Sequence, residues 1–292
     1  MHRVITLLLL FTVAVGAFAA EPTAVSSVGW QPQPLVNGSP CLFTVTVKGP
    51  AEKVTAQWMG HEVEFARGSG ATWYALAGVA YETKPGDYPL ALDVVTRDGR
   101  VVHESRPVKV LAAKYRTSRL TVPQKYVTPD PETLKRIEAE KEIKSAAFAH
   151  KAPGPEWAGD FVPPVPMEVS ETYGTSRTFN GKLATVHRGT DFRAPMGTPV
   201  HAVNSGEVVL ARELYYEGNC IIVDHGLGFM TLYMHLSKFD VKEGDQVEKG
   251  QAIALSGSTG RVTGPHLHLS VRWSGEYLDP GKLLVLKLPA QP

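Results

Sequence analysis

The chain has 292 residues, of which 43% are hydrophobic and 20% charged, with 30 basic and 29 acidic side chains and a formal net charge of +1. So even a balance excludes general electrostatic attraction to nucleic acid or an anionic membrane, and the length points to two domains rather than one. The two cysteines, Cys41 and Cys220, each lie inside an apolar strand-like run ("CLFTVTV" and "NCIIVDH") and read as buried free thiols rather than as a disulfide.

The first residues, "MHRVITLLLLFTVAVGAFAA", contain Arg3, an apolar run from Val4 to Phe18 and the small-x-small triplet Ala17, Phe18, Ala19. That layout is a secretory signal peptide over residues 1–19, cleaved after Ala19, and its apolar run is short for a span of ~20 residues. Loss of Arg3 leaves 29 basic against 29 acidic side chains, a formal charge of zero. The expected destination is the periplasm or cell envelope, or the extracellular space, with no membrane attachment after cleavage.

Residues 20–113 read as short strands broken by turns. Cys41, Phe43, Val45 and Val47 alternate with Leu42, Thr44, Thr46 and Lys48, and "GDYPLALDVVTRDGRVV" places Tyr88, Leu90, Leu92 and Val94 on one face before an Asp98-Gly99 turn. This spacing predicts a small β-sandwich of immunoglobulin-like type. His61 and His103 lie far apart in sequence without a partner motif, and Trp58, Trp73 and Tyr74 read as core.

Residues 114–166 form a connector with one helix. Asp130 is the N-cap, Pro131 the first helical position and Glu132 a first-turn acid, so the helix runs from about 131 to 149 and stops before Pro153-Gly154-Pro155. Its many charges predict a solvated surface. From 167 to 286 strands return ("MEVSETY", "TPVHAV", "GEVVLA", "NCIIVDHG", "FMTLYMHLS", "AIALS", "HLHLSVRW") with Gly-rich turns, giving a second all-β domain of antiparallel sheet, and residues 287–292 are a tail. The fold class is all-β throughout, apart from the connector helix.

The chemistry lies in the second domain. His187 and Asp191, four apart in "VHRGTDF", offer a nitrogen and a carboxylate oxygen of the kinds zinc takes. In "GPHLHLSVRW" strand alternation sends His266, His268 and Ser270 to one face and Leu267, Leu269 and Val271 to the other. In "LYMHLS", Tyr233 and His235 are expected to share a strand face. Three ligands plus spare imidazoles match a catalytic zinc with one open position, but spacing alone does not say which member of the His266/His268 pair binds metal.

The segments "HRGTDF", "GNCIIVDHGLGFMTLYMHLS", "VKEGDQVEKGQAIALSGSTGRVTGPHLHLSV" and "YLDPGKLL" resemble the lysostaphin or LytM type of zinc endopeptidase over about Tyr173 to Leu284. The resemblance implies one zinc per chain held by His187, Asp191 and His268, with His235 and His266 as catalytic imidazoles that do not bind metal. It implies hydrolysis of peptide bonds in bacterial peptidoglycan, in stem-peptide cross-links or in bridge peptides. The N-terminal sandwich and connector resemble, more softly, the N-terminal region of some secreted members.

A second reading makes the protein a non-catalytic wall-binding regulator of an amidase, but inactive relatives lack several of the five site residues and all five stand here. A histidine phosphocarrier conflicts with the export signal. A lipoyl-type hairpin at "VKEGDQVEKGQ" has its lysines, Lys242 and Lys249, beside the turns and not at the tip. His225 is expected to close a strand end and His201 to be structural, while Arg188, Asn219, Tyr233 and Thr263 adjoin the motifs as candidate substrate contacts.

Overall fold

The structure, a computed structural model, describes residues 23–181 and 183–289; the export segment read at residues 1–19 lies outside them. Among the described residues no helix is long and apolar enough to cross a membrane.

The N-terminal region holds nine strands: Val25–Gln31 (β1), Leu35–Val36 (β2), Pro40–Val47 (β3), Ala51–Trp58 (β4), His61–Glu64 (β5), Ala66–Arg67 (β6), Thr72–Gly78 (β7), Gly86–Thr96 (β8) and Val101–Leu111 (β9). They form two sheets, β1-β3-β7-β6 and β2-β9-β8-β4-β5. Alternation does what the pattern requires: Leu90, Leu92 and Val94 of β8 are buried, while the intervening Asp93 faces outward towards His103. The sheets meet where Phe43 packs edge-on against Trp58 at 5.1 Å, and Trp58 Nε1 donates to the Gly78 carbonyl at 2.8 Å.

The connector is less separate than its sequence implies. Thr117–Leu120 (β10) pairs in parallel with Ser176–Phe179 and so joins a sheet of the C-terminal region. Pro131–Ala149 (α1) starts as read, with the Asp130 side chain accepting from Thr133 N at 2.8 Å. Its surface is not wholly solvated, however. Glu140 is buried, accepting from Arg136 Nε and from the backbone N–H of Tyr215 at 2.8 Å, and Ala147 packs into a core cluster. A buried carboxylate satisfied on both sides pins the helix to the second domain.

The C-terminal strands are Val169–Glu171 (β11), Ser176–Phe179 (β12), Leu183–Val186 (β13), Thr190–Phe192 (β14), Pro199–His201 (β15), Gly206–Leu214 (β16), Gly218–Asp224 (β17), Phe229–Phe239 (β18), Gln246–Val247 (β19), Ala252–Ser256 (β20), Leu267–Trp273 (β21) and Glu276–Leu278 (β22). β10, β12 and β13 make a small sheet. The others form one large sheet, antiparallel in every registered pair, whose main path is β11-β14-β21-β18-β17-β16-β19. On one face Leu210, Cys220, Ile222, Met230 and Leu232 form a core with Ala147 of α1. On the other, Tyr233, Leu236, Leu267, Leu269 and Val271 belong to a core continuous with that of the two N-terminal sheets.

The two regions therefore share an interior. Gly78 lies so close to Leu278 that a Cβ there would meet it at 2.6 Å. Cys41 and Cys220 are both buried and free, in different clusters, as their apolar surroundings imply.

Candidate functional site

β21 runs between β14 and β18, and that placement assembles the site. His268 stands in register with Asp191 on one side and Met234 on the other. Opposed residues of an antiparallel pair leave the sheet on the same face, so the imidazole and the carboxylate meet above it. His187 precedes β14 and closes the group: its Nε2 lies 3.0 Å from Asp191 Oδ1 and 3.1 Å from His268 Nδ1, and the latter is 2.7 Å from Oδ1. All three residues are buried. Gly189 makes the approach possible, since a Cβ there would lie 2.3 Å from His268 Nε2.

The outer nitrogens fix what the inner ones carry. His187 Nδ1 donates to the Thr172 carbonyl at 3.0 Å. His268 Nε2 donates to Ser270 Oγ at 2.9 Å, and that hydroxyl donates in turn to the Arg188 carbonyl at 2.8 Å. With those N–H groups turned outward, His187 Nε2 and His268 Nδ1 are the ring nitrogens turned towards Asp191. Burial, opposed by the contact with Asp191, lowers the His268 pKa to about 4, so the ring is neutral at pH 7. Burial also works against the Asp191 charge, but its contacts with His187 and His268 outweigh this and hold the carboxyl well below the usual range. Two imidazole nitrogens and a carboxylate oxygen thus face one point, an arrangement that suits a cation. Two imidazole nitrogens and one carboxylate oxygen are a donor set that fits zinc.

Arg177 of β12, which no motif in the sequence singles out, completes this group. Its Nη2 donates to Asp191 Oδ2 at 2.5 Å and also to Glu171. The outer carboxylate oxygen is thereby occupied and Oδ1 is left for the centre.

His235 reaches the site by a route that alternation does not predict. Tyr233 pairs with Leu269 and lies on the core face, so the expected shared face would bury His235 away from His268. Instead His235 has φ 64°, and β18 carries an extra residue against β17 between Tyr233 and Leu236. This bulge turns the His235 ring to the face of His268, 5.9 Å away between centroids, and returns Leu236 to the core. The expectation that Tyr233 and His235 share a face is therefore corrected. The pleat is broken at His235.

His235 and His266 are held alike. His235 Nδ1 donates to Thr259 O at 2.9 Å and His266 Nδ1 to Gly264 O at 2.8 Å, which leaves each Nε2 bare. The rings are 4.8 Å apart, and His266 Nε2 lies 3.8 Å from Asp191 Oδ1. Burial, together with the neighbouring His266 and His268, pushes the His235 pKa well below its ordinary value. The five predicted site residues thus stand together in a cleft of about 1070 Å3. Part of its wall is β10 of the connector.

Several neighbours fall elsewhere. Tyr233 is fully buried, its hydroxyl accepting from Val203 N at 2.8 Å, and neither it nor Asn219 lines the cleft. Thr263 does line it. Arg188 lines it too and pairs with Glu82, between β7 and β8, at 2.6 Å. His225 is buried in the core between Ser205 O and Thr231 Oγ1, and half-buried His201 donates to Pro164 O.

The family model of peptidase family M23 matches residues 185–280, a stretch that holds all five residues. The chain is 54% identical over 87 residues to the peptidoglycan DD-endopeptidase ShyA of Vibrio cholerae, which is 30% of this chain and 20% of that protein. It is 48% identical over 85 residues to the peptidoglycan DD-endopeptidase ShyB of the same organism, 29% of this chain and 20% of the relative. The matched segment thus spans about a fifth of these curated relatives. A Pseudomonas aeruginosa chain, solved by crystallography as a peptidase of the M23 type, is 32% identical with a TM-score of 0.64, covering 85% of this chain and 94% of its own. A likeness of that extent takes in more than the C-terminal domain alone, and the chain belongs to peptidase family M23.

Proposed function

We propose that the protein is an exported zinc-dependent endopeptidase that hydrolyses peptide cross-links of bacterial peptidoglycan, with one zinc per chain held by His187, Asp191 and His268. The observation that carries this reading is the convergence of three donor atoms, two imidazole nitrogens and one carboxylate oxygen, beside two further imidazoles anchored through Nδ1 in an open cleft. Relatives named as peptidoglycan DD-endopeptidases support the substrate class.

Zinc, when bound, supplies Lewis acidity that polarises a carbonyl and lowers the pKa of water towards ~7. The remaining steps fall to the chain. His235 and His266, each anchored through Nδ1, can accept a proton at Nε2 from an attacking water and return it to the leaving amine. Once protonated, the same imidazole N–H faces the oxyanion that develops on the scissile carbonyl, a contribution of about 3 to 4 kcal/mol for one donor. Arg177 and Ser270 keep the Asp191 carboxylate and the His268 ring from rotating.

The test is digestion of purified peptidoglycan by the full chain, followed by mass spectrometry of released muropeptides, with chelator and after zinc is restored. New amino termini that disappear with chelator and return with zinc are expected. No new termini, together with stimulation of a wall amidase, would replace the reading with that of a regulator.

A further inference from the structure

Arg261 lies in the loop 257–264 between β20 and His266, and this loop anchors both imidazoles that stand outside the three-atom group. Thr259 O accepts from His235 and Gly264 O from His266. The loop is itself fixed: Arg261 N donates to Tyr216 O at 2.9 Å, and Gly260 packs so closely on Gly218 that a Cβ would lie 2.3 Å from its nitrogen. The Arg261 guanidinium sits against two rings, with Cζ 4.8 Å from the Phe179 centroid and 4.6 Å from that of Tyr216. Stacking of this kind holds a planar cation by its faces and leaves its N–H edge free to bind a carboxylate through two parallel hydrogen bonds.

Nothing of opposite charge meets that edge. Arg177 is satisfied by Glu171 and Asp191, Arg188 by Glu82, and Arg116 and Arg193 are exposed to water. Arg261 is half-buried and, among the described residues, makes neither a salt bridge nor a side-chain hydrogen bond. The neighbouring Glu217 gives one carboxylate oxygen to Lys144 at 2.5 Å, and its other oxygen, buried without a hydrogen-bond partner, makes no ion pair with Arg261 among the described residues. Burial lowers the Arg261 pKa, with Tyr216 and Glu217 opposing the shift, as befits a cation that has given up water without gaining a partner.

We propose that Arg261, held between Phe179 and Tyr216, is a subsite for a free carboxylate carried by the peptide substrate close to the scissile bond. The inference rests on the endopeptidase reading and narrows it, because a stem-peptide cross-link can present such a carboxylate and an uncharged glycine bridge cannot. The pull is local, since the chain as a whole carries almost no net charge.

The test uses two synthetic cross-linked peptides in which D-alanine acylates the side-chain amine of diaminopimelate. The carboxyl beside that amine is free in one and a primary amide in the other. Calorimetry on the metal-free full chain is expected to show the acid binding about tenfold or more tighter than the amide. That preference should shrink as salt rises. Arg261→Gln should bring the two affinities together and Arg261→Lys should restore part of the gap, whereas a merely structural role would weaken both peptides alike. Equal affinities in the wild type, or a preference that survives in Arg261→Gln, would overturn the proposal. Equal wild-type affinities overturn it even if Arg261→Gln does not fold, and Arg261→Lys then serves as the variant that assigns the preference. Failure of the zinc-loaded wild type to cleave either peptide would count against the endopeptidase reading, while the binding preference still rules on the subsite.

Discussion

His268 and Asp191 face each other in register across β21 and β14, with Nδ1 2.7 Å from Oδ1 and the far nitrogen of the ring tied to Ser270. Two neighbouring strands thus supply two of the three converging donors, and a residue just before one of them supplies the third. On this geometry His268→Ala should lose bound zinc and turnover together. His266→Ala should keep the metal and lose about 10²–10⁴ in kcat, the range for removal of a general acid or base. Elemental analysis alongside muropeptide release checks both, and a metal-free His266→Ala chain would contradict the division of roles.

Arg177 holds the outer oxygen of Asp191. Replacing it with Gln should let the carboxylate rotate and weaken zinc binding roughly 10–100-fold, the usual range for loss of a group that orients a ligand. Competition against a chromophoric chelator measures this directly. Unchanged affinity would mean that Arg177 serves substrate or fold instead.

Gly189 has no room for a side chain, since a Cβ would lie 2.3 Å from His268 Nε2 and 2.4 Å from Leu269 O. Gly189→Ala should therefore displace the His268 ring or the β21 backbone, at a cost of about 1–3 kcal/mol typical of overpacking. The expected signature is a lower denaturant midpoint with weaker zinc binding. A normal midpoint and full metal content would refute the steric account.

His225 makes acid sensitivity predictable. Burial lowers its pKa from 6.5 to about 4 in the fold, with Ser205 O and Asp224 opposing the shift. Between those values the unfolded chain binds a proton that the folded chain refuses, so stability falls as pH drops from 6.5 to about 4. The loss reaches about 3 kcal/mol for this group and is absent above 6.5. Urea midpoints of the metal-free protein against pH should show a shallower decline in His225→Gln than in the wild type. His268, which titrates in the same window, is present in both chains, so an identical decline would remove His225 as its source.

The alternating burial of the N-terminal strands, the capped helix and the grouping of His187, Asp191 and the His266/His268 pair were all legible in the sequence, because each rests on local periodicity or short spacing. Alternation by itself sends His266 and His268 to one face, and four-residue spacing keeps His187 near Asp191. β10 was not legible: "TSRL" has no alternating apolar pattern, and its pairing with β12 is parallel and distant in sequence.

What the sequence by itself determined is the grouping of His187, Asp191 and the His266/His268 pair; what only the tertiary structure decided is that His235, Arg177 and Arg261 join them in one cleft. Arg177 meets Asp191 because β12 and β14 fold to one end of the cleft, and Arg261 is exposed to it between rings from two other elements. His235 is the sharpest case, since an unbroken pleat would bury it beside Tyr233. Its φ of 64° is a conformation that a residue other than glycine adopts at a cost, and that cost is offset by contacts from Glu217 in the β16–β17 turn and from the 257–264 loop that no local reading of "LYMHLS" contains.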